Sequence, residues 1–288
     1  MAPTLPHELE ELVLCHLQYD PAALKACSLV CYRFRIASQK LIFRNILVDF
    51  SSSSSKTARS TPKVSPFLLR EFLTATPRIA NSIRGIDFIA DSYRLQDLDA
   101  TFLPCLPFLE NLRSISLDTN SVRPIYWQHL SLHAQRSLYS MSYSSRIVAM
   151  RFRRVFELPV SLLAECRALE ALSLTSVTFQ QENMLRNPGG TWTPSAQSQS
   201  PRLKSLHLSI SHDAFRAFTE LFTGSPALLD STALVRLSVT IFSPRFDYAR
   251  LHDFLRTVGS SLEVFCFSPM SPLTVSSSPR LTCMHCPA

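Results

Sequence analysis

Between Ile83 and Cys286 one spacing of apolar residues returns eight times: an apolar residue, two others, an apolar residue, one other, an apolar residue. The copies are Ile83/Ile86/Phe88, Leu112/Ile115/Leu117, Ile147/Met150/Phe152, Leu169/Leu172/Leu174, Leu203/Leu206/Leu208, Leu234/Leu237/Val239, Leu262/Phe265/Phe267 and Leu281/Met284/Cys286. The last two positions of each copy alternate as a strand does when one face is buried. Segments ahead of several copies have helical spacing instead, notably Phe67–Leu73, Ala214–Phe222 and Leu251–Leu255. Strand and helix therefore take turns, and strands this short bury their apolar faces by stacking on neighbours of their own kind. The expected fold class is α+β or α/β.

The first forty-odd residues follow another rule. Pro6 stands where a helix can begin, because its missing N–H would be an orphan donor there anyway. Leu9, Leu12, Val13 and Leu17 recur at helical intervals. Asp20-Pro21 stops that helix and caps a second, short one containing Ala22, Ala23, Leu24 and Cys27. Val30, Phe34, Ala37 and Leu41 set one apolar stripe on a third helix. Three helices of this size do not bury a self-sufficient core, so the unit must lean on the rest of the chain, on a partner, or on both.

This stretch resembles an F-box. The resemblance is carried by Leu5-Pro6 with Glu8-Leu9, by Asp20 to Leu24, and by Cys27-Ser28-Leu29-Val30-Cys31 running into Arg33-Phe34-Arg35. The exit Gln39-Lys40-Leu41 with Phe43-Arg44 is similar to that of many F-box proteins. The bland alternative is a small N-terminal helical cap. The resemblance implies docking on Skp1 and, through it, on a cullin. It gives the contact role to Leu5, Pro6, Leu9, Leu24, Leu29, Val30 and Phe34.

The F-box is expected over residues 1–46, a connecting segment over 47–66, and a substrate-recognition domain over 67–288. Residues 51–66 read SSSSSKTARSTPKVSP, too polar to repay their ordering, so a flexible loop is expected there. Residues 46–48 just before it look like a strand. Strand-then-helix units every 20–35 residues, roughly, resemble an irregular leucine-rich-repeat domain, which implies a solenoid of short parallel strands and helices. Only Leu112 to Asn120 has the full LxxLxLxxN form. The place of Asn120 is taken elsewhere by Asp91, Val155, Val177, Ser211, Phe242 and Met270, which argues against a smooth horseshoe. Asn187–Pro201 is a loop by composition. The alternative is an α+β domain with Leu-rich strands that only look repetitive.

Composition bounds the function. The 288 residues are 46% hydrophobic and 18% charged, which suits a globular chain rather than a disordered one. The net charge of +7 is modest for this length, and its Lys and Arg residues are scattered. The acidic start MAPTLPHELEEL has no apolar signal region, and no stretch approaches the eighteen uninterrupted apolar residues, roughly, of a membrane span. Together with eight cysteines, several of them inside apolar patterns, this makes an intracellular, cytoplasmic or nuclear chain with reduced thiols the expectation.

Catalytic and metal patterns are thin. Cys283 and Cys286 form a lone C-x-x-C without a second pair, and His129 and His133 lack the Glu of a zincin helix. The five glycines build no phosphate loop, and GxSxG does not occur. No catalytic residue, metal or cofactor is expected; the chain reads as an adaptor, not an enzyme. Arg151, Arg153 and Arg154 around Phe152 and Phe156 fit a solvated rim, a site for an acidic partner, or a nucleic-acid surface. Strand alternation puts Asp87, Ser116, Arg151, Ser173, His207, Ser238 and Cys266 on the face opposite the apolar residues. Of these, Ser116, Arg151, Ser173, His207 and Ser238 are the expected substrate contacts. The expected function is a substrate-receptor subunit of a Skp1–cullin–F-box ubiquitin ligase, binding an unidentified protein substrate and no membrane. The alternatives are a scaffold, Skp1-bound or free, acting outside the ligase, and a nucleic-acid-binding protein, which the scattered basic charge disfavours.

Overall fold

The structure is a computed structural model describing residues 6–50, 61–90, 109–119, 123–143, 146–180, 186–187, 190–191, 200–223, 229–230, 232–242, 248–270 and 282–285. The chain is mixed α/β with a mostly parallel sheet, and it divides into two compact units, Met1–Ile115 and Ser116–Ala288. Among the described residues no helix is long and apolar enough to cross a membrane.

The first unit opens with helices α1 (His7–His16), α2 (Pro21–Cys27) and α3 (Tyr32–Ile42). Asp20 caps α2 as its position before Pro21 suggests: its Oδ1 accepts from the backbone N–H of Ala22 and of Ala23, both at 3.0 Å. Leu14, Leu24 and Ala37 form a small core, with Leu17, Cys27, Phe34, Leu41 and Ile42 packed against it. Next come β1 (Asn45–Asp49), β2 (Lys63–Val64), α4 (Leu69–Ala75), α5 (Pro77–Ala80) and β3 (Gly85–Ile89). β1 lies between β2 and β3 and pairs with both in parallel, bringing Ile46 beside Ile86 and Val48 beside Phe88.

That register exposes an additional copy of the apolar spacing, Phe43/Ile46/Val48, which begins at the end of the third helix. The boundary expected at residue 46 therefore falls inside β1. Of the expected flexible loop, residues 51–60 lie outside the described residues, whereas Lys63 and Val64 form β2, and the Lys63 ammonium reaches the Asp49 carboxylate at 2.7 Å. Gly85 sits against the side chain of its register partner Asn45, where a Cβ would collide with the Asn45 amide.

The division between units falls in β4 (Ser114–Asp118). The second unit continues with β5 (Ile125–Tyr126), α6 (Leu132–Tyr143), β6 (Ala149–Arg153), β7 (Val155–Phe156), α7 (Val160–Ala164) and β8 (Ala171–Thr175). β9 (Arg186–Asn187) and β10 (Gly190–Thr191) pair as a short antiparallel ladder that begins one residue before the expected Asn187–Pro201 loop. β11 (Ser205–Ile210), α8 (His212–Thr223), β12 (Arg236–Phe242), α9 (Tyr248–Val258), β13 (Val264–Met270) and β14 (Thr282–His285) complete it. The sheet order is β4-β6-β8-β11-β12-β13-β14.

From β6 to β13 the pairs are parallel and the triplets align, Met150, Leu172, Leu206, Leu237 and Phe265 in one row and Phe152, Leu174, Leu208, Val239 and Phe267 in the next. β14 departs from expectation: it runs antiparallel to β13, with Met284 opposite Phe265. Helices α8 and α9 add Phe215, Phe218 and Phe254 to this core, with Phe215 and Phe254 edge-on at 5.9 Å.

Asn120 lies outside the described residues, but Val155 and Val177, which stand in its place after β6 and β8, are buried. The turns there are made differently. Arg154 and Ser176 take positive φ (54° and 51°), and their N–H groups donate to the carbonyls of Thr175 and Ser209 at 2.8 and 2.6 Å. A small second ladder follows, with β5 parallel to β7. Backbone donors that an Asn side chain could help satisfy are thus met by neighbouring carbonyls.

Candidate functional site

Two surfaces stand out, one in each unit. The first is on the three-helix module. The apolar residues of helix α1, with Leu17 just after it, differ in exposure. Leu14 and Leu17 face the core, whereas Leu9, Leu12 and Val13 are exposed. Leu29 and Val30, in the turn between α2 and α3, are 86% and 71% exposed, and Tyr32 at the start of α3 is exposed beside them in sequence. A module with so small a core leaves more large apolar side chains in water than it buries.

The expected contact residues divide accordingly. Pro6, Leu9, Leu29 and Val30 are exposed, and Leu5 lies outside the described residues. Leu24 is 1% exposed and belongs to the module's core rather than its surface, whereas Phe34 is half-buried and packs against that core. Leu12, Val13 and Tyr32 are exposed as well, although none of them is among the expected contacts. Spacing alone does not separate Leu9, Leu12 and Val13 from Leu14 and Leu17, since Val13 and Leu17 are one helical turn apart and adjacent around the axis.

The second surface is the polar face of the second unit's sheet. Arg151, Ser173, His207, Ser238 and Cys266 are register partners across β6, β8, β11, β12 and β13, so the expected row exists as a row. Arg151 is exposed and the other four are half-buried. Ser116 differs: at 5% exposed it is covered, which removes it from the open surface. A second polar row runs alongside, Arg153, Thr175, Ser209, Thr240 and Ser268, of which Ser209 and Ser268 are buried as Ser116 is. Its first member reaches the Asp118 carboxylate of β4 at 3.5 Å. Thr175 and Thr240 are half-buried there and were legible from the same alternation, two residues on from Ser173 and Ser238. In the first unit, Asp87 pairs in register with Leu47, which is itself buried.

Electrostatics mark one position in the first row. Burial pushes the His207 imidazole below its ordinary pKa of 6.5, and the neighbouring Arg151 guanidinium pushes the same way. His207 is therefore a neutral donor and acceptor among hydroxyls near neutral pH. The aromatic part of the basic cluster is not available for stacking on bases: Phe152 is 1% exposed, and Phe156 is packed edge-on against Tyr126 at 5.5 Å. Arg154 occupies the positive-φ turn described above.

The remaining sequence candidates do not converge. His129 lies in a short turn with its ring 5.2 Å from Tyr126, while His133 is on α6, and both are exposed. Cys283 is in β14, and Cys286 lies outside the described residues. Compared with family models, with curated proteins and with solved structures, the chain matches none of them.

Proposed function

We propose that this chain is a substrate-receptor adaptor of a Skp1–cullin–F-box ubiquitin ligase. In this reading the module α1–α3 is an F-box that docks on Skp1, and the second unit is leucine-rich-repeat-like and holds a protein substrate on its polar sheet face. The observation that carries the proposal is the exposed set Leu9, Leu12, Val13, Leu29, Val30 and Tyr32 on a module whose own core is three residues with a few partly buried neighbours. Large apolar side chains exposed in this number on so small a module favour an interaction surface over an ordinary solvated one. Leu9, Leu29 and Val30 among them are also residues that give the stretch its F-box resemblance. The polar rows of Ser, Thr, His and Arg supply hydrogen-bond donors and acceptors suited to a polypeptide. The chain acts by positioning: tethering a substrate near a charged conjugating enzyme raises effective concentration, and no bond is made or broken by its own side chains.

The test is affinity isolation of the full chain from cells. Skp1 and a cullin are expected with the wild type, and neither with Leu29→Asp/Val30→Asp. Ser173→Tyr/Ser238→Tyr is expected to retain both while losing ubiquitylated substrate. Skp1 without a cullin would favour a scaffold outside the ligase, and absence of Skp1 from the wild type would end the proposal.

A further inference from the structure

The first unit holds a groove of about 820 Å³ between α3 and the α5 region, and its charge is one-sided. Arg35 and Lys40 come from α3, Arg44 from the link to β1, Arg78 from α5, and Arg84 from the link to β3. All five are exposed, and no carboxylate lines the groove. Among the described residues none of the five is paired with an acidic side chain. Their contacts are neutral. Arg78 Nη1 donates to the Tyr32 hydroxyl at 3.0 Å, Arg35 lies over the Tyr32 ring at 5.2 Å, and Arg84 Nη1 points to the Asn111 carbonyl at 3.5 Å. Gathering five like charges without counter-charges works against folding, and what offsets such repulsion is an anion.

We propose that this groove binds a small molecule carrying several phosphate groups. Four guanidinium forks match phosphate oxygens bidentately, and Lys40 adds a point charge. The volume is in the range of small-molecule sites. Two larger classes of ligand fit less well. A single-stranded nucleic acid needs open aromatic platforms, and the groove's one aromatic ring, Tyr32, is engaged by Arg35 and Arg78. A bound peptide needs apolar anchor pockets, and the groove's only apolar side chains besides Tyr32, Ile36 and Ile79, are half-buried. The groove shares Tyr32 with the exposed apolar set but none of that set's other residues, and its five cations are not among the contacts assigned to Skp1, so tripolyphosphate binding and Skp1 binding are tested separately.

The experiment is calorimetric titration of the full chain with inorganic tripolyphosphate, orthophosphate, a doubly phosphorylated serine peptide and a single-stranded oligothymidylate. Tripolyphosphate is expected to bind about tenfold or more tighter than orthophosphate, weakening as salt is added. Lys40→Gln/Arg78→Gln is expected to abolish binding. Arg70→Gln/Arg136→Gln removes the same charge from other exposed positions and is expected to leave it intact. Thermal melting checks that each variant folds, and Lys40→Gln alone is expected to weaken binding severalfold should the double variant unfold. No binding of tripolyphosphate, equal loss in the control variant, or tighter binding of the peptide or the oligonucleotide would overturn the proposal.

Discussion

Leu24 and Leu29 are the same side chain five residues apart, and their surroundings assign them opposite roles. Leu24 fills the core of the three-helix module, so Leu24→Ala is expected to cost about 2–5 kcal/mol of stability, read as a lower melting temperature. Leu29 is in water, so Leu29→Ala is expected to change stability by no more than about 0.5 kcal/mol. Comparable losses in the two melts would show that the module packs differently. His207 supplies a pH test. Its folded pKa is depressed by burial and then by Arg151, so the unfolded chain takes up the proton first. Stability is therefore full above about pH 6.5 and declines as pH falls through that value toward the lower folded pKa. His207→Gln is expected to flatten this decline in melting curves taken across the range, and an unchanged decline would mean other groups cause it. Cys166 is the thiol counterpart. Burial pushes it up to about 12, and its Sγ donates to the Ile147 carbonyl at 3.4 Å. Alkylation at neutral pH is expected to label the exposed Cys15 and Cys31 well before Cys166, as peptide mass mapping would reveal.

At the scale of elements, the sheet of the second unit is a set of aligned rows, and substitutions should sort by row. Leu206→Ala removes a residue stacked between Leu172 and Leu237 and is expected to cost about 2–5 kcal/mol. Ser173→Tyr/Ser238→Tyr lies on the polar face and is expected to melt close to the wild type. Ser116→Tyr, introduced at a covered position, is expected to destabilise by about 1–3 kcal/mol. If the Ser173/Ser238 pair unfolds the protein, the polar face is not open. These rows were legible in the sequence because the triplet is a period-two signal that needs no tertiary knowledge. The copy at Phe43/Ile46/Val48 was harder to see because it overlaps the third helix, where the helical period of Phe34, Ala37 and Leu41 dominates. The direction of β14 was not legible either: the spacing of Met284 and Cys286 is the same whichever way a strand runs. In the helical module, spacing grouped Leu9 with Leu17 and Val30 with Phe34. Only packing separates the members that face Leu14 from those that face water.

For the whole molecule, three surfaces of the described residues matter: an apolar set on the helical module, a basic groove, and a polar sheet face. A net charge of +7 spread over 288 residues matters less than the local gathering of five cations in that groove. The central claim is that the exposed apolar set is the Skp1 surface. Its most direct test is the affinity of purified chain for purified Skp1, measured by calorimetry on the wild type, Leu29→Ala/Val30→Ala, Leu9→Ala/Leu12→Ala/Val13→Ala, and Ser173→Tyr/Ser238→Tyr. The expected result is tight binding by the wild type and the sheet variant. Each apolar variant should lose about 1–4 kcal/mol of binding while its melting temperature holds, as truncation of buried interface anchors does. Wild-type protein that does not bind Skp1, or apolar variants that bind it as tightly as the wild type, would contradict the claim.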